Sequence, residues 1–179
     1  RMACIMQQTQ TNYETDLFMP IMKKLEEIVL VRYLGQMEFK VIADHVRTLT
    51  IVLSDGASFE NYGRGYVLRR LLRRAVRMGR KLNISHSFMA SLVDVVVDIY
   101  KELYPELDAN RNTIKEVIIE EKNKFMKTLQ NGEREFEKVA NRTKNAGKTV
   151  LDTNAVFNLY ETYGFPPEMT EELANEQGL

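Results

Sequence analysis

Apolar residues recur three and four positions apart along almost the whole chain, which is the spacing of one face of an α-helix. Residues 15–28 show this spacing first, and residues 39–53 repeat it through Ile42, Val46 and Leu49. Strands that cover a core would instead alternate apolar and polar residues. The sequence therefore predicts an all-α fold, a helical bundle held together by amphipathic faces.

The same spacing predicts further helices downstream, with serine, glycine and proline residues near their ends. Ser85 or Ser87 is placed to cap one of them, while Gly164 and Pro166 form a corner near the C-terminus. The predicted helices are residues 66–80, a helix that ends before Pro105, one long helix at about 110–142, and a short C-terminal helical hairpin of residues 153–162 and 167–177. Residues 29–37 fit either a short strand or a linker.

Composition narrows the class of protein without naming a function. With 44% hydrophobic and 28% charged residues, the chain has the balance of an ordinary globular domain. Its single cysteine, Cys4, excludes an internal disulfide framework and suits a reducing compartment. No apolar run is long enough to span a membrane. Because the first residue is Arg1 and no targeting pattern follows, we expect an internal cut in a longer protein.

The formal net charge of zero hides a strong separation of charge along the chain. Residues 64–81 hold eight Lys and Arg residues and no acid, whereas residues 160–179 hold five Glu residues and no base. A basic surface on a neutral protein still attracts polyanions, because the local field governs encounter.

The basic segment, GRGYVLRRLLRRAVRMGRK, is predicted to be a two-faced helix. Its predicted apolar stripe contains Val67, Leu68, Leu71, Leu72, Ala75 and Val76. The rest of the cylinder carries Arg69, Arg70, Arg73, Arg74, Arg77 and Arg80. No acid lies three or four positions from these arginines, so they repel one another unless a partner is present. Bound phosphates, acids elsewhere in the fold or a membrane surface would each be such a partner. The bulky aromatic face of a membrane-binding helix is, however, missing.

Two glycines, Gly63 and Gly65, stand at the entrance of the basic helix. A helix N-terminus attracts phosphate, so this entrance is one place where an anion could bind. Tight turn geometry explains the same two glycines equally well.

Three blocks of the sequence resemble the alanyl-tRNA synthetase family of class II synthetases. They are FKVIADHVRTLTIVLSDG, ENYGRGYVLRRLLRRAVRMGR and AVFNLYETYGFPPEMTEE, in the family's order and spacing, and NYETDLFMPIMKKLEEI is also similar. The resemblance covers nearly the whole chain. It implies that residues 1–37 are the end of the class II catalytic core with a connecting helix. Residues 38–179 would be the helical domain that recognises the tRNA acceptor stem.

The resemblance implies that two residues read a G·U wobble pair in that stem: Asn61, and Glu161 in place of the family's usual Asp. An exposed A-form minor groove and an unpaired guanine 2-amino group suit an amide and a carboxylate as readers. If both serve one base pair, they meet at the mouth of one cleft. Two other roles remain open, because Asn61 fits an N-cap of the basic helix and Glu161 fits a solvated helix end.

The arginines would then hold phosphates and set the register without reading sequence. The candidate phosphate-binding residues are Arg64, Arg69, Arg70, Arg73, Arg74 and Arg77.

For the parent enzyme the resemblance implies a ligase that attaches alanine to its tRNA using ATP with magnesium. Arg1 matches the last residue of the third class II motif, which contacts ATP, but the first two motifs are missing. We therefore expect this fragment to be inactive, with no catalytic residue and no cofactor of its own. The expected partners are the tRNA for alanine and the rest of the synthetase chain, with no membrane. The expected location is the cytoplasm, with an organellar form left open.

Metal binding is not expected, because His45, His86 and Cys4 lack the spacing of metal ligands. His45 is instead predicted to make a structural hydrogen bond beside Asp44.

The alternative function is a helical protein-interaction module with a basic helix and no nucleic-acid role. It predicts that Arg73, Arg74 or Arg77 forms internal salt bridges, and that Asn61 and Glu161 do not meet.

Overall fold

The computed structural model describes residues 2–84, 88–163 and 165–179, and the regular structure within those ranges is entirely helical. The all-α prediction is confirmed, as is the single long helix. The helices are α1 (Met2–Met6), α2 (Met19–Val29), α3 (Met37–Ser54), α4 (Gly63–Lys81), α5 (Met89–Tyr100), α6 (Pro105–Asn145), α7 (Thr153–Glu161) and α8 (Pro167–Glu176). A short 3-10 turn, Asn12–Glu14, precedes α2.

The chain forms two compact units, Arg1–Lys122 and Asn123–Leu179. Helix α6 contributes its first part to one unit and its second part to the other. This division follows packing alone. The predicted boundary after residue 37 concerned the end of the catalytic core, and it stays a prediction.

Helix α3 is the centre of the first unit, where it packs against α2, α4 and α5. Its side chains Phe39, Ile42 and Leu49 are fully buried. Burial of each such side chain contributes on the order of 2 kcal/mol to folding. The first block of the family resemblance, which forms most of α3, therefore supplies the support on which the basic helix α4 lies.

Polar contacts hold the first turns of α6 against the ends of α3 and α5. Asn110 donates a hydrogen bond to the Ser54 carbonyl at 3.3 Å. Arg111 donates to Asp98 at 2.8 Å, and Lys115 donates to Asp94 at 2.8 Å. The hydrogen bond from Arg111 lowers the pKa of Asp98 below its ordinary value, with a smaller effect from Lys101. These contacts fix the first turns of α6 within the first unit.

The helix ends differ from the predicted ones where proline and backbone geometry decide them. Helix α2 begins at Met19 because Pro20 suits the first turn of a helix and not its interior. It ends at Val29, since the next residue, Leu30, has a left-handed φ of 58°, and an irregular link leads from there to α3. The strand alternative for residues 29–37 is therefore wrong. Pro105 similarly begins α6, earlier than expected. The predicted caps at Ser85 and Ser87 lie outside the described residues.

In the second unit, Phe165 anchors the turn between α7 and α8. Its side chain is fully buried, and its backbone N–H donates to the Leu159 carbonyl at 2.9 Å. The ring lies directly against Gly132 of α6, where an added Cβ would be 2.3 Å from Cδ2 of Phe165. Gly132 thus provides a notch for the ring, and the notch fixes the end of α7. The predicted corner residue Gly164 lies outside the described residues.

We predict that Gly132→Ala lowers the free energy of unfolding by about 1–3 kcal/mol, because the new methyl group displaces the Phe165 ring. Urea denaturation measures this directly. The exposed neighbour Asn131 is the control, since Asn131→Ala is expected to raise stability by less than about 0.7 kcal/mol through helix propensity. Stabilisation by Gly132→Ala of about 1 kcal/mol, the propensity effect alone, would contradict the notch.

Candidate nucleic-acid interface

The loop before α4 folds back onto the first turn of that helix, and the two entrance glycines permit this. Gly63 has a φ of 59°, which is left-handed and favours glycine. A Cβ at Gly65 would lie 2.6 Å from the backbone nitrogen of Glu60, closer than any side chain allows. Loop geometry therefore accounts for both glycines, and it places Asn61 beside the start of α4.

Asn61 is exposed, and it is not the N-cap of α4. The cap position is Tyr62, and no side chain caps the helix there. The alternative role of Asn61 as a cap is therefore wrong. Its side-chain oxygen Oδ1 instead accepts a hydrogen bond from Nη1 of Arg69, two turns into the helix.

Arg69 is in turn held by Glu121 of α6. Nη2 of Arg69 donates to Oε2 of Glu121 at 3.2 Å, and Nε lies 2.7 Å from Oε1. The Nε–H bond does not point at that oxygen, so the shorter contact is an approach of charges and the hydrogen bond is the one from Nη2. Glu121 is only 5% exposed. One buried carboxylate thus connects, through one guanidinium, to an exposed amide.

Helix α4 is covered on two sides. Leu68 and Leu72 are buried on the side of the predicted apolar stripe, while Arg69 is largely buried on the side where Glu121 lies. Val67, at the edge of the predicted apolar stripe, is 51% exposed, so the covered part of the stripe does not include it. At 100° per residue it falls on the open edge of the helix that also carries Arg70 and Arg74, between the two covered sides.

The six candidate phosphate-binding arginines therefore have different surroundings. Arg64, Arg70 and Arg74 are exposed. Arg69 and Arg73 are largely covered, and Arg77 is 3% exposed, within the interior. The structure thus divides the six candidates into three exposed residues and three covered ones.

Arg73 also faces Glu121, with Nη2 3.9 Å from Oε1. Burial lowers the pKa of the Arg73 guanidinium below its ordinary value; Glu121 opposes this effect and Arg69 adds to it. One carboxylate therefore faces two guanidinium groups, and this is an internal ion pair of the kind that the interaction-module alternative predicted.

Glu161 is the last residue of α7 and is exposed. An acid at a helix C-terminus faces the negative end of the helix dipole, which is locally unfavourable. Helix stability therefore gives no reason for a carboxylate at this position. Glu161 belongs to the second unit and Asn61 to the first, so their predicted meeting stays a prediction.

The remaining sequence candidates give little to the site. His45 is buried with Nδ1 3.0 Å from Oδ2 of Asp44, which confirms its structural hydrogen bond; that bond lowers the pKa of Asp44. Arg1 lies outside the described residues. Within the described ranges, no three His, Cys, Asp or Glu side chains are grouped to hold a metal ion. None of the helices seen in the structure combines the length and apolar character needed to cross a membrane.

Sequence reasoning missed Glu121, although a signal was present. The buried residues of α6 around it, Ile114, Ile118 and Phe125, follow helical spacing, and Glu121 occupies a position of the same stripe. A charged residue at such a position is almost never buried unless it is paired. Because the same chain contains an acid-free run of arginines, a buried Glu121 indicates an ion pair between α6 and α4.

We predict that Glu121→Ala lowers the free energy of unfolding by about 3 kcal/mol, because it leaves covered guanidinium groups without their anion. Glu116→Ala, at an exposed position of the same helix, is the matched control and is expected to change stability by less than about 0.5 kcal/mol. Both values come from urea denaturation. Equal stability of the two variants would show that Glu121 is not a buried partner.

Comparison with known proteins agrees with the sequence blocks. The family model described as tRNA synthetases class II (A) matches residues 1–179. The chain is 44% identical to the alanine–tRNA ligase of Acholeplasma laidlawii and 47% identical to that of Halalkalibacterium halodurans, over 100% of its own length in both cases. It spans 20% and 21% of those proteins, about a fifth of the length of the curated relatives it matches. The chain therefore belongs to the class II (A) tRNA synthetase family.

Proposed function

We propose that this chain is the part of an alanine–tRNA ligase that recognises the acceptor stem of tRNA. The observation that carries the proposal is the position of Asn61, an exposed amide held by Arg69 at the head of an acid-free arginine helix. Relatives named alanine–tRNA ligase are similar along the entire chain, which supports alanine as the amino acid and tRNA as the partner.

The chemistry of Asn61 and Glu161 suits the minor groove of an RNA helix. The groove of A-form RNA is wide and shallow there, so short side chains reach base edges and 2′-hydroxyl groups. A carboxylate accepts from the guanine 2-amino group, and an amide both donates and accepts. We propose that both residues contribute to the preference for a G·U wobble pair. Glu161 is one methylene longer than the family's usual Asp, and its exposed position leaves room for that length.

Phosphate binding is proposed for the exposed arginines Arg64, Arg70 and Arg74. Guanidinium groups bind phosphate oxygens in pairs and fix the register of the RNA without reading its sequence. Arg69, Arg73 and Arg77 are covered in this structure, and we propose that they support α4 from inside.

The remaining catalytic functions are proposed for the whole enzyme. Activation of alanine with ATP and magnesium would take place elsewhere in the longer protein, and we assign none of the described side chains to it. We expect the present chain alone to lack that activity.

One observation favours the alternative of an interaction module. The Arg73–Glu121 contact at 3.9 Å meets part of its prediction of internal salt bridges. This contact is compatible with RNA binding, because Glu121 faces the covered side of α4 while Arg70 and Arg74 lie on its exposed edge. Membership in a synthetase family further favours RNA.

The test is binding of the 179-residue chain to two acceptor-stem hairpins that differ only in a G·U or a G·C pair, across a salt series. We predict tighter binding to G·U by about tenfold, the discrimination expected of one well-placed base contact. Asn61→Ala and Glu161→Ala are each expected to reduce that preference. Arg70→Gln is expected to weaken binding to both hairpins equally. It should also lower the slope of log affinity against log salt concentration by about one.

Matched controls separate recognition from charge and from helix propensity. Asn112→Ala and Glu137→Ala change the same residue types at exposed positions of α6, and they should keep the preference. Salt-sensitive binding without preference would reduce the proposal to a phosphate clamp. Absence of binding to either hairpin would favour the interaction module.

A further inference from the structure

We propose that Arg69 is a positioning residue for RNA recognition, which sets the orientation of the Asn61 amide and is itself locked by Glu121. The inference rests on the proposed function and extends it to two residues that need not touch RNA. It is carried by three groups that contact one another in turn: the buried carboxylate of Glu121, the guanidinium of Arg69 and the side-chain oxygen of Asn61.

A guanidinium group has only donors, so it dictates which end of the amide faces it. Asn61 must turn its oxygen toward Nη1 of Arg69, since the opposite orientation would set N–H against N–H. The Asn61 amino group is thereby directed away from Arg69. The chain thus presents a donor to the RNA, together with the second lone pair of Oδ1. Acceptors for that donor in the minor groove are pyrimidine O2, purine N3 and the 2′-hydroxyl oxygen.

Locking by Glu121 is needed because arginine is long and flexible, with about 2 kcal/mol of side-chain rotamer entropy. The contacts of Nη2 and Nε with the carboxylate restrict that freedom before RNA arrives. Glu121 is buried and lies on a helix, so it is a rigid support. Without it, the exposed amide on a loop would rotate among several orientations, and its binding would carry an entropic cost.

The same contacts distinguish Arg69 from the phosphate-binding arginines. Its charge is offset by Glu121, and Nη1, Nη2 and Nε are all directed at protein groups or lie against them. Arg69 should therefore add little to the release of counterions when RNA binds. Arg70, next in sequence and exposed, is the natural comparison.

The test compares Arg69→Gln and Arg70→Gln in binding to the G·U and G·C hairpins across a salt series. We expect Arg69→Gln to lose the same part of the preference as Asn61→Ala does, with the part that Glu161 contributes retained and the salt slope unchanged. Arg70→Gln should show the reverse pattern. Arg69→Lys keeps the charge but not the planar fork of donors, and it should also lose the preference. It provides a second variant should Arg69→Gln fold poorly.

A double-mutant cycle supplies the decisive readout. If Arg69 acts through Asn61, Arg69→Lys removes no further preference in the Asn61→Ala background. Additive losses would overturn the inference, and so would an Arg69→Gln variant that keeps the preference while its salt slope falls. A wild-type chain that binds both hairpins without preference would instead remove base reading from the proposed function, and the positioning role with it. The failures of the two proposals are therefore distinguishable.

Discussion

A buried carboxylate beside a crowded row of arginines is the interaction on which the rest of this structure depends. Residues 64–81 carry eight cations without an acid, so α4 has no charge balance of its own. Glu121 supplies an anion on the covered side of the helix, next to Arg69 and Arg73. Because those two arginines are engaged there, α4 has a fixed orientation. The cations of its open edge are then turned outward.

The site follows from that orientation through short steps. Helix α3 packs against α4 and supports it. Because Gly65 has no side chain, the loop before α4 folds back over the first turn of that helix. Arg69 then connects Asn61 on the loop to Glu121 on α6. Each step reduces the freedom of one exposed amide, and preorganisation of this kind is what allows a short side chain to discriminate between base pairs.

Helical spacing was enough to predict helices α2 to α8, because each of them packs an apolar face, whereas α1 buries no side chain and was not predicted. On α4, helical spacing indicated one covered side where the helix has two, and Val67 at the edge of the predicted apolar stripe is exposed. The pairing of Arg69 with Glu121 joins residues 52 positions apart, and local sequence carries no such distance information. Asn61 could be named only through the family resemblance. Its contact with Arg69 is seen only in the folded structure.

The most direct test of the central claim is an experimental structure of the chain bound to an acceptor-stem hairpin with a G·U pair. We predict that Arg69 still contacts Glu121 in that complex, that the Asn61 side-chain oxygen faces Arg69, and that the Asn61 amino group donates into the minor groove at the wobble pair. Arg70 or Arg74 should lie against phosphates in the same complex. A complex in which Arg69 has left Glu121 and contacts a phosphate, or in which Asn61 faces solvent away from the RNA, would contradict this prediction.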